Sequence, residues 1–251
     1  MNYSRQADIY DAEHSKDVAI VIGAGATGSW LATALAKLGI NKLIVCDFDI
    51  LEEHNLPNQC YSKDNVGMYK VKALKKLLLD SFSTNPNGDY DFINAAITSE
   101  DVDVPSTSLE GIINNNVGSD IDSLTIFCLV DSMSARKDIL NMAKRVAPML
   151  PNTPVRFIET RMGLTGYRIY DIELHNNKEI DEYIKTLYSD DEAEVSACGT
   201  SKSVVSTAMQ CASHAVGMWL ANKNNIDYLP NEVIFDVQSS IMLSKKFDEG
   251  E

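Results

Sequence analysis

The sequence predicts an α/β fold in which a doubly wound, mostly parallel sheet carries an antiparallel C-terminal extension. Three observations support this prediction. Short apolar runs of strand length alternate with longer segments whose apolar residues recur at helical spacing. A glycine-rich turn at residues 23–28 joins the first apolar run to the first helical segment. Residues 233–243 alternate apolar and polar side chains, which is typical of antiparallel strands.

The first strand–helix–strand unit is the most clearly marked part of this pattern. Residues 18–22 are a continuous apolar run that fits a buried parallel strand, and residues 42–46 (KLIVC) are a second. Residues 29–38 between them predict a helix that ends at Gly39, because glycine readily adopts the left-handed conformation that follows a helix. Residues 50–65 are polar and predict a loop.

The same alternation continues to the end of the chain. Further strands are predicted at residues 91–98, 124–130, 155–159 and 166–174, with one or two more at 233–243. Further helices are predicted at residues 69–79, 108–114, 134–146, 180–188 and 202–220. Because residues 166–174 alternate in polarity, we expect them to form an edge strand or an antiparallel strand.

Composition narrows the classes of function. The 251 residues carry a formal net charge of −14, which disfavours nucleic-acid partners because phosphate backbones are repelled. Five cysteines occur without a CxxC pair, so we expect neither a disulfide framework nor a structural zinc ion. No apolar run approaches the roughly 20 residues of a membrane span. The polar N-terminal segment does not resemble a signal peptide, and we expect a cytoplasmic protein without a membrane partner.

The glycine turn reads GAGATG over residues 23–28 and matches GxGxxG between a predicted strand and a predicted helix. In a Rossmann-like fold this turn lets a phosphate approach the main chain at a helix N-terminus. Asp47 follows Gly28 by 19 residues, at the tip of the second strand, where a carboxylate accepts hydrogen bonds from ribose. The motif alone predicts a nucleotide but does not choose between NAD, FAD and ATP.

The segment after this aspartate points to one family. It contains DFD at residues 47–49, NLPNQ at 55–59 and VGMYK at 66–70, in that order. Together with the glycine turn, these motifs resemble the ubiquitin-activating-like adenylyltransferases, the ThiF/MoeB/HesA group. Additional similar segments are YSRQ at residues 3–6, DSMSAR at 131–136 and a glycine-flanked segment at 163–170, so the resemblance extends from about residue 3 to residue 240.

The resemblance implies ATP- and Mg²⁺-dependent adenylation of a carboxylate. The implied substrate is the C-terminal glycine of a small ubiquitin-like or sulfur-carrier protein. The residues that it implies for nucleotide binding are Gly23, Gly25, Ala26, Gly28, Asp47, Asp49, Asn55, Asn58, Lys70 and Asp131. Among these, Asp47 would bind the ribose, Asn55 and Lys70 would reach the phosphates, and Asp131 would hold Mg²⁺, an ion that prefers oxygen ligands. Lys70 would also stabilise charge in the transition state.

The resemblance also implies a homodimer and one domain over residues 1–251. Arg5 resembles an arginine that family dimers supply from the partner subunit to the γ-phosphate. The domain would comprise an N-terminal arm (1–16), a nucleotide-binding half (17–150) and a substrate-binding C-terminal half (151–251). Cys198 is the candidate for accepting the activated acyl group, because a thiol close to a helix N-terminus is more readily deprotonated.

The chain departs from the family pattern at Asn58, where the family has an arginine that contacts the ATP phosphates. An amide does not replace a charged, forked donor, so this position puts full activity in question. The paired CxxC zinc ligands of many relatives are also missing. Among the other cysteines, Cys46, Cys128 and Cys211 fall in apolar segments and are expected in the core, and Cys60 is ambiguous.

Simpler structural roles remain open for several of these residues. The glycines could serve only helix–strand packing, and Asp49 could cap its loop. Lys70 could be one more solvated lysine, and Asp131 could be a helix N-cap. Arg136 is interpreted as structural.

Three other functions also remain open. The chain could adenylate a different carboxylate, on a peptide or a modified tRNA base. It could instead be an NAD-dependent oxidoreductase or a non-catalytic ATP-binding module.

Overall fold

A computed structural model describes residues 2–81, 89–99, 105–189, 203–224 and 226–247. Its strands, in chain order, are β1 (Asp17–Ile22), β2 (Lys42–Cys46), β3 (Asp89–Ile93), β4 (Ala96–Ile97), β5 (Ser106–Thr107), β6 (Ser123–Cys128), β7 (Val155–Met162), β8 (Gly166–Glu173), β9 (Glu232–Asp236) and β10 (Ile241–Lys245). Its α-helices are α1 (Ala26–Leu38), α2 (Lys70–Ser81), α3 (Leu109–Asn116), α4 (Met133–Val146), α5 (Asn177–Ile184) and α6 (Val205–Lys223). Short 3₁₀ helices cover Glu53–Asn55, Lys63–Asn65 and Ala147–Met149.

Eight strands form one sheet in the order β10-β9-β8-β7-β6-β1-β2-β3. The strands from β3 to β7 pair in parallel, and β8, β9 and β10 continue the sheet in antiparallel pairs. This arrangement confirms the predicted fold class. Along the chain, β2 and β3 are added on one side of β1, and β6 and the later strands are added on its other side. The strand order therefore reverses between β1 and β6. In open α/β sheets, ligands bind at such a reversal, beyond the carboxyl ends of the strands.

Helices cover both faces of the sheet and create two apolar layers. On one face, α1, α2 and α6 pack on alternate residues of the central strands. On the other face, α3, α4 and α5 pack on the intervening residues. All six residues of β1 and all six of β6 are buried, which explains why these strands are almost continuously apolar in sequence. No helix among the described residues has the length and apolar character needed to cross a membrane.

The structure shifts some predicted boundaries. Helix α5 spans Asn177–Ile184 rather than 180–188, because the Asn176 side chain caps it by accepting hydrogen bonds from the backbone N–H groups of Lys178 and Glu179. The strand predicted at residues 91–98 divides into β3 and β4, which belong to different sheets. Strand β8 is antiparallel as predicted but lies inside the sheet, since β9 and β10 extend the sheet beyond it.

Candidate active site

The glycine turn is compact on one side and open on the other. Gly23 has φ +98°, and a Cβ atom there would lie 2.7 Å from the carbonyl oxygen of Leu129. A Cβ atom on Gly28 would lie 1.9 Å from the carbonyl oxygen of Gly23. Both positions therefore require glycine for packing. No described residue lies within 4 Å of where a Cβ atom on Gly25 would stand, so this part of the chain leaves open space above the residue.

The N-terminus of α1 lies at this open space. Gly25 is the N-cap, Ala26 is the first helical residue, and no described side chain caps the helix. By contrast, Ser108, Ser132 and Asn176 cap α3, α4 and α5 with side-chain oxygens. Because the first N–H groups of a helix lack intrahelical partners and carry partial positive charge, α1 presents donors suited to an anionic ligand.

Asp47 lies at the end of β2 and fastens the glycine turn to it. Its Oδ2 accepts a hydrogen bond from the backbone N–H of Ala24 at 2.6 Å, and its Oδ1 accepts one from Asp49 at 2.8 Å. Burial raises the pKa of the Asp47 carboxyl, while the charge of Lys70 and these two N–H groups act in the opposite direction. Both oxygens of this carboxylate are thus already used to shape the loop.

Asp49 and Lys70 form an ion pair beside the same turn. Nζ of Lys70 donates to Oδ2 of Asp49 at 2.6 Å, and the backbone N–H of Lys70 donates to the Asp49 carbonyl at 2.9 Å. An antiparallel bridge between Ile50 and Tyr69 holds the two segments together. Lys70 is only 7% exposed, whereas the Asp49 side chain is 49% exposed. The pair therefore has a fixed cation and an accessible carboxylate.

Asp131 follows β6 on the other side of the strand-order reversal. Leu129, two residues earlier, donates its N–H to Ile22 at the end of β1 at 2.9 Å, which keeps this loop next to the glycine turn. The Asp131 side chain is exposed. The cap of α4 is Ser132, which accepts a hydrogen bond from the N–H of Ala135 at 3.2 Å. The Asp131 carboxylate is therefore not occupied as the helix cap.

The sequence model of the ThiF family matches residues 4–231, over the same strands, turn and loops. The chain belongs to the ThiF family. Among curated relatives, ubiquitin-like modifier-activating enzyme 5 of Caenorhabditis briggsae is 32% identical over 144 residues, which are 57% of this chain and 32% of that protein. The corresponding enzyme of Drosophila grimshawi is 34% identical over 143 residues, or 55% and 34% of the two chains. The chain thus spans about a third of the length of these relatives.

Solved structures show the same fold at low sequence identity. PaaA superposes with a TM-score of 0.66 and 19% identity, over 98% of this chain and 82% of that one. Escherichia coli MccB, solved with ATP, superposes with a TM-score of 0.65 and 16% identity, over 98% and 71% of the two chains. These similarities confirm the predicted α/β architecture, and the family match confirms the resemblance read from the motifs.

Asn55 and Asn58 lie in the loop that carries the ThiF-like NLPNQ motif. Oδ1 of Asn55 accepts a hydrogen bond from the N–H of Glu52 at 2.9 Å. The Asn58 carbonyl accepts from the Trp30 indole at 3.1 Å, and its amide donates to the hydroxyl of Ser203. Oδ1 of Asn58 is buried without a partner in the described part of the chain. Position 58 thus connects the loop to α1 and to the start of α6.

Arg5 lies away from the glycine turn of its own chain. The N-terminal arm packs at the C-terminal end of α1, where a Cβ atom on Gly39 would lie 2.5 Å from the Tyr3 ring and Gln6 donates to the Leu38 carbonyl at 2.5 Å. Helix α1 has 13 residues. At about 1.5 Å per residue, roughly 20 Å of helix separates the arm from the turn. Arg5 itself is exposed.

The cysteines divide by burial. Cys46, Cys128 and Cys211 are buried in the apolar layers, which confirms that they belong to the core. Burial raises the pKa of the Cys128 and Cys211 thiols to about 12. Cys60 is half-buried, and burial raises its pKa as well. Cys198 falls outside the described residues, so its predicted role has no structural counterpart.

Sequence reasoning interpreted Arg136 as structural and did not identify its partner, Glu159. Nε of Arg136 lies 2.8 Å from Oε1 of Glu159, an ion pair without hydrogen-bond geometry, and the terminal nitrogens of Arg136 donate to the carbonyl oxygens of Val130 and Asp131. The available signal was a glutamate directly after two apolar residues at the end of the predicted strand 155–159, on the predicted site edge. Within the described ranges, no group of three or more His, Cys, Asp or Glu side chains gathers to hold a metal ion.

Proposed function

We propose that this chain uses ATP and Mg²⁺ to adenylate the C-terminal glycine of a small ubiquitin-like or sulfur-carrier protein. The observation that carries the proposal is the grouping of three features at one sheet edge. The uncapped N-terminus of α1 opens above Gly25, the Lys70–Asp49 pair lies beside it, and the exposed carboxylate of Asp131 follows the neighbouring strand. Membership of the ThiF family and the names of the curated relatives support this reading.

The accessible groups suit the parts of ATP in different ways. Open space above Gly25 and the N–H groups at Ala26 fit the phosphates, because nothing within the described chain fills that space. Both oxygens of Asp47 already accept backbone hydrogen bonds, so the half-exposed Asp49 is the better placed of the two to accept from ribose hydroxyls. Asn55 and Asn58 would border the phosphate side from their loop.

The reaction would form a bond between a carboxylate oxygen and the α-phosphorus of ATP, and the bond to pyrophosphate would break. Negative charge grows on the α-phosphate and on the leaving pyrophosphate. Lys70 is held by Asp49 and by burial, so its ammonium group would stabilise that charge without reorganising. Bound Mg²⁺ would supply further positive charge, and Asp131 would hold it together with phosphate oxygens, since Mg²⁺ commonly uses one or two carboxylates.

The remaining assignments extend the same proposal to the assembly. A homodimer would bring Arg5 of one subunit toward the γ-phosphate in the other, which fits its distance from the turn of its own chain. Residues 17–150 would hold the nucleotide and residues 151–251 the acyl substrate, with Cys198 as the acceptor in a later transfer. The described cysteines are free thiols, which fits a reducing compartment such as the cytoplasm.

Substrate-dependent exchange of labelled pyrophosphate into ATP tests this function. We expect exchange when candidate partner proteins ending in glycine are present, and none when their terminal carboxylate is amidated. Absence of exchange with every such partner would refute the proposal. Release of AMP with peptides, modified tRNA or small acids in place of the partner would identify another carboxylate as the substrate.

A non-catalytic nucleotide-binding module is a second candidate, and one observation favours it. Asn58 occupies the place of the family arginine, and its amide is engaged by Ser203. This candidate predicts that ATP stabilises the chain against heat while no exchange occurs. Recovery of exchange in Asn58→Arg would support the module, because the missing cation would then be the reason for inactivity. Exchange by the unmodified chain would exclude it.

A further inference from the structure

A buried carboxylate lies close to the candidate site without belonging to it. Glu159, in β7, is 0% exposed and is paired in register with Cys128 at the end of β6. Two arginines approach it, with Nε of Arg136 at 2.8 Å and Nε of Arg161 at 2.9 Å. The hydroxyl of Tyr183 also donates to it at 3.1 Å. This carboxylate thus has three polar side chains fixed around it.

The first arginine holds the loop that carries Asp131. One terminal nitrogen of Arg136 donates to the Val130 carbonyl at 2.6 Å, and the other donates to the Asp131 carbonyl at 3.2 Å. Because a guanidinium carries three nitrogens in one plane, Arg136 can direct Nε toward Glu159 while its two terminal nitrogens donate to successive carbonyl groups. A side chain with a single nitrogen could not do both. The backbone of Asp131 is therefore tied, through one side chain, to a carboxylate on the neighbouring strand.

The second arginine keeps that carboxylate in place from the other side. Arg161 lies over the ring of Tyr170, with 4.5 Å between the guanidinium carbon and the ring centroid. It also donates to the carbonyl and the hydroxyl of Thr186, at 2.9 and 3.0 Å. A buried ion pair is weak evidence for stability, because its desolvation cost offsets much of the attraction. Positioning of the adjacent loop is a better explanation of this network.

We infer that Glu159 is a positioning residue, which orients Arg136 and thereby fixes the Asp131 carboxylate for Mg²⁺ bound with ATP. This inference rests on the proposed function and adds residues to its machinery. Groups that orient a metal ligand commonly change metal affinity or activity by about 10- to 100-fold when they are removed. Glu159 would act on the metal and the reaction rate, and leave contacts to the rest of the nucleotide unchanged.

The test compares Glu159→Gln with the unmodified chain in two measurements. Binding of Mn²⁺, as a probe for Mg²⁺, is followed by electron paramagnetic resonance with a non-hydrolysable ATP analogue present. Pyrophosphate exchange is titrated with Mg²⁺ in parallel. We expect the half-saturating metal concentration to rise about tenfold or more. The exchange kcat should fall, whereas the KM for ATP should stay within about twofold, a split that general loss of structure would not produce.

Glu173→Gln is the matched control. Glu173 also pairs with an arginine, since its Oε2 lies 3.3 Å from Arg156, but it lies at one end of the β7–β8 pair, three register positions from Glu159. We expect its metal midpoint to equal that of the unmodified chain. If Glu159→Gln does not fold, Arg136→Lys replaces it, because lysine keeps the charge but lacks the fork. A midpoint within twofold of the unmodified value in the folded variant overturns the inference.

The two proposals can fail separately. If the unmodified chain shows no exchange but binds Mn²⁺ with the analogue, the proposed function is refuted and the metal midpoint of Glu159→Gln still decides the positioning role. If the unmodified chain exchanges pyrophosphate and the variant matches it in both measurements, only the positioning role is refuted. If the unmodified chain binds no metal with the analogue, both proposals are refuted.

Discussion

The parallel and antiparallel halves of the sheet each contain an aspartate paired with a cation, and the two pairs differ in what they leave free. In the parallel half, Oδ2 of Asp49 lies 2.6 Å from Lys70, and the aspartate is half exposed. In the antiparallel half, Oδ1 of Asp171 lies 2.7 Å from Arg156, and the aspartate is 1% exposed. The second oxygen of Asp171 accepts from the amide of Asn222.

This difference separates a structural pair from one that can take part in binding. In the pair of Asp171 and Arg156, called the closed pair, neighbouring side chains donate to both carboxylate oxygens. The carboxylate can therefore be buried, and neither oxygen remains available to a ligand. The open pair keeps a carboxylate in contact with solvent beside an uncapped helix N-terminus. A similar interatomic distance therefore says little about function, and the accessibility of the remaining oxygens is the informative quantity.

The largest effect on stability is expected from breaking the closed pair. Asp171→Ala removes the buried acceptor of both side chains and leaves Arg156 only its longer contact to Glu173 and Asn222 only its bond to the Met218 carbonyl, which costs about 1–3 kcal/mol in the free energy of unfolding. Urea denaturation measures this change. Lys70→Ala is the matched control and should cost about 1 kcal/mol or less, because the Asp49 carboxylate that it leaves unpaired is open to water. Equal losses in the two variants would contradict the distinction between the pairs.

The open pair should instead determine the reaction rate. Lys70→Ala removes the fixed ammonium group, and we expect pyrophosphate exchange to fall by about 10²- to 10³-fold, as for the loss of one preorganised charge-stabilising donor. The unfolding free energy should change little, because the Asp49 left behind is accessible to water. Lys72→Ala is the control, since this lysine on the same helix is exposed and lies over the Tyr69 ring, 5.2 Å from its centroid. Similar rate losses in both variants would remove the special role of Lys70.

The parts of this arrangement that the sequence predicted are those encoded by residues close together in the chain. The continuous apolar runs of β1 and β2 and the glycine turn between them follow from residues within a short window, so the first half of the fold was predictable. The motifs also assigned Asp49, Lys70 and Asp131 to one site. Asp49 and Asp131 follow strands on either side of β1 whose carboxyl ends lie at the same edge of the sheet, and their shared role stays a prediction.

Long-range pairing explains what the sequence did not reveal. The interior position of β8 depends on β9 and β10, which arrive about 60 residues later in the chain. The hydrogen bond from Asn58 to Ser203 joins residues that are 145 positions apart. The motif therefore showed that asparagine replaces the family arginine at position 58, but not that this asparagine would bind Ser203. In the sequence, Glu159 indicated only that a charged residue lies in a buried strand. Its partners, Arg136 in α4 and Arg161 in β7, could not be inferred from that position alone.

Gly25 gives a further test in the parallel half, because the absence of a side chain there leaves open space instead of allowing close packing. Gly25→Ala should leave the unfolding free energy nearly unchanged, since the new Cβ atom meets no atom within 4 Å in the described ranges of the chain. We expect ATP affinity to fall about tenfold, which corresponds to about 1.4 kcal/mol, because the methyl group would stand where a phosphate approaches the main chain. Isothermal titration calorimetry measures the affinity. Gly217→Ala, also in open space but within α6, is the control and should bind ATP normally.

The smallest expected effect is a pH dependence that arises from His214, whose ring contacts the antiparallel half of the sheet. Burial lowers the pKa of His214 below 6.5, and its Nδ1 lies 3.1 Å from the Tyr167 hydroxyl. As pH falls through 6.5, the unfolded chain binds a proton at this residue more readily than the folded chain, so the unfolding free energy should decrease. His214→Gln should weaken that decrease in urea denaturation between about pH 7.5 and about pH 5.5, relative to the exposed control His175→Gln. ATP affinity should be the same in both variants at each pH, because His214 contacts β8 rather than the glycine turn. A pH-dependent loss of ATP affinity confined to His214→Gln would show that the two halves of the sheet are coupled, against the separation argued from their ion pairs.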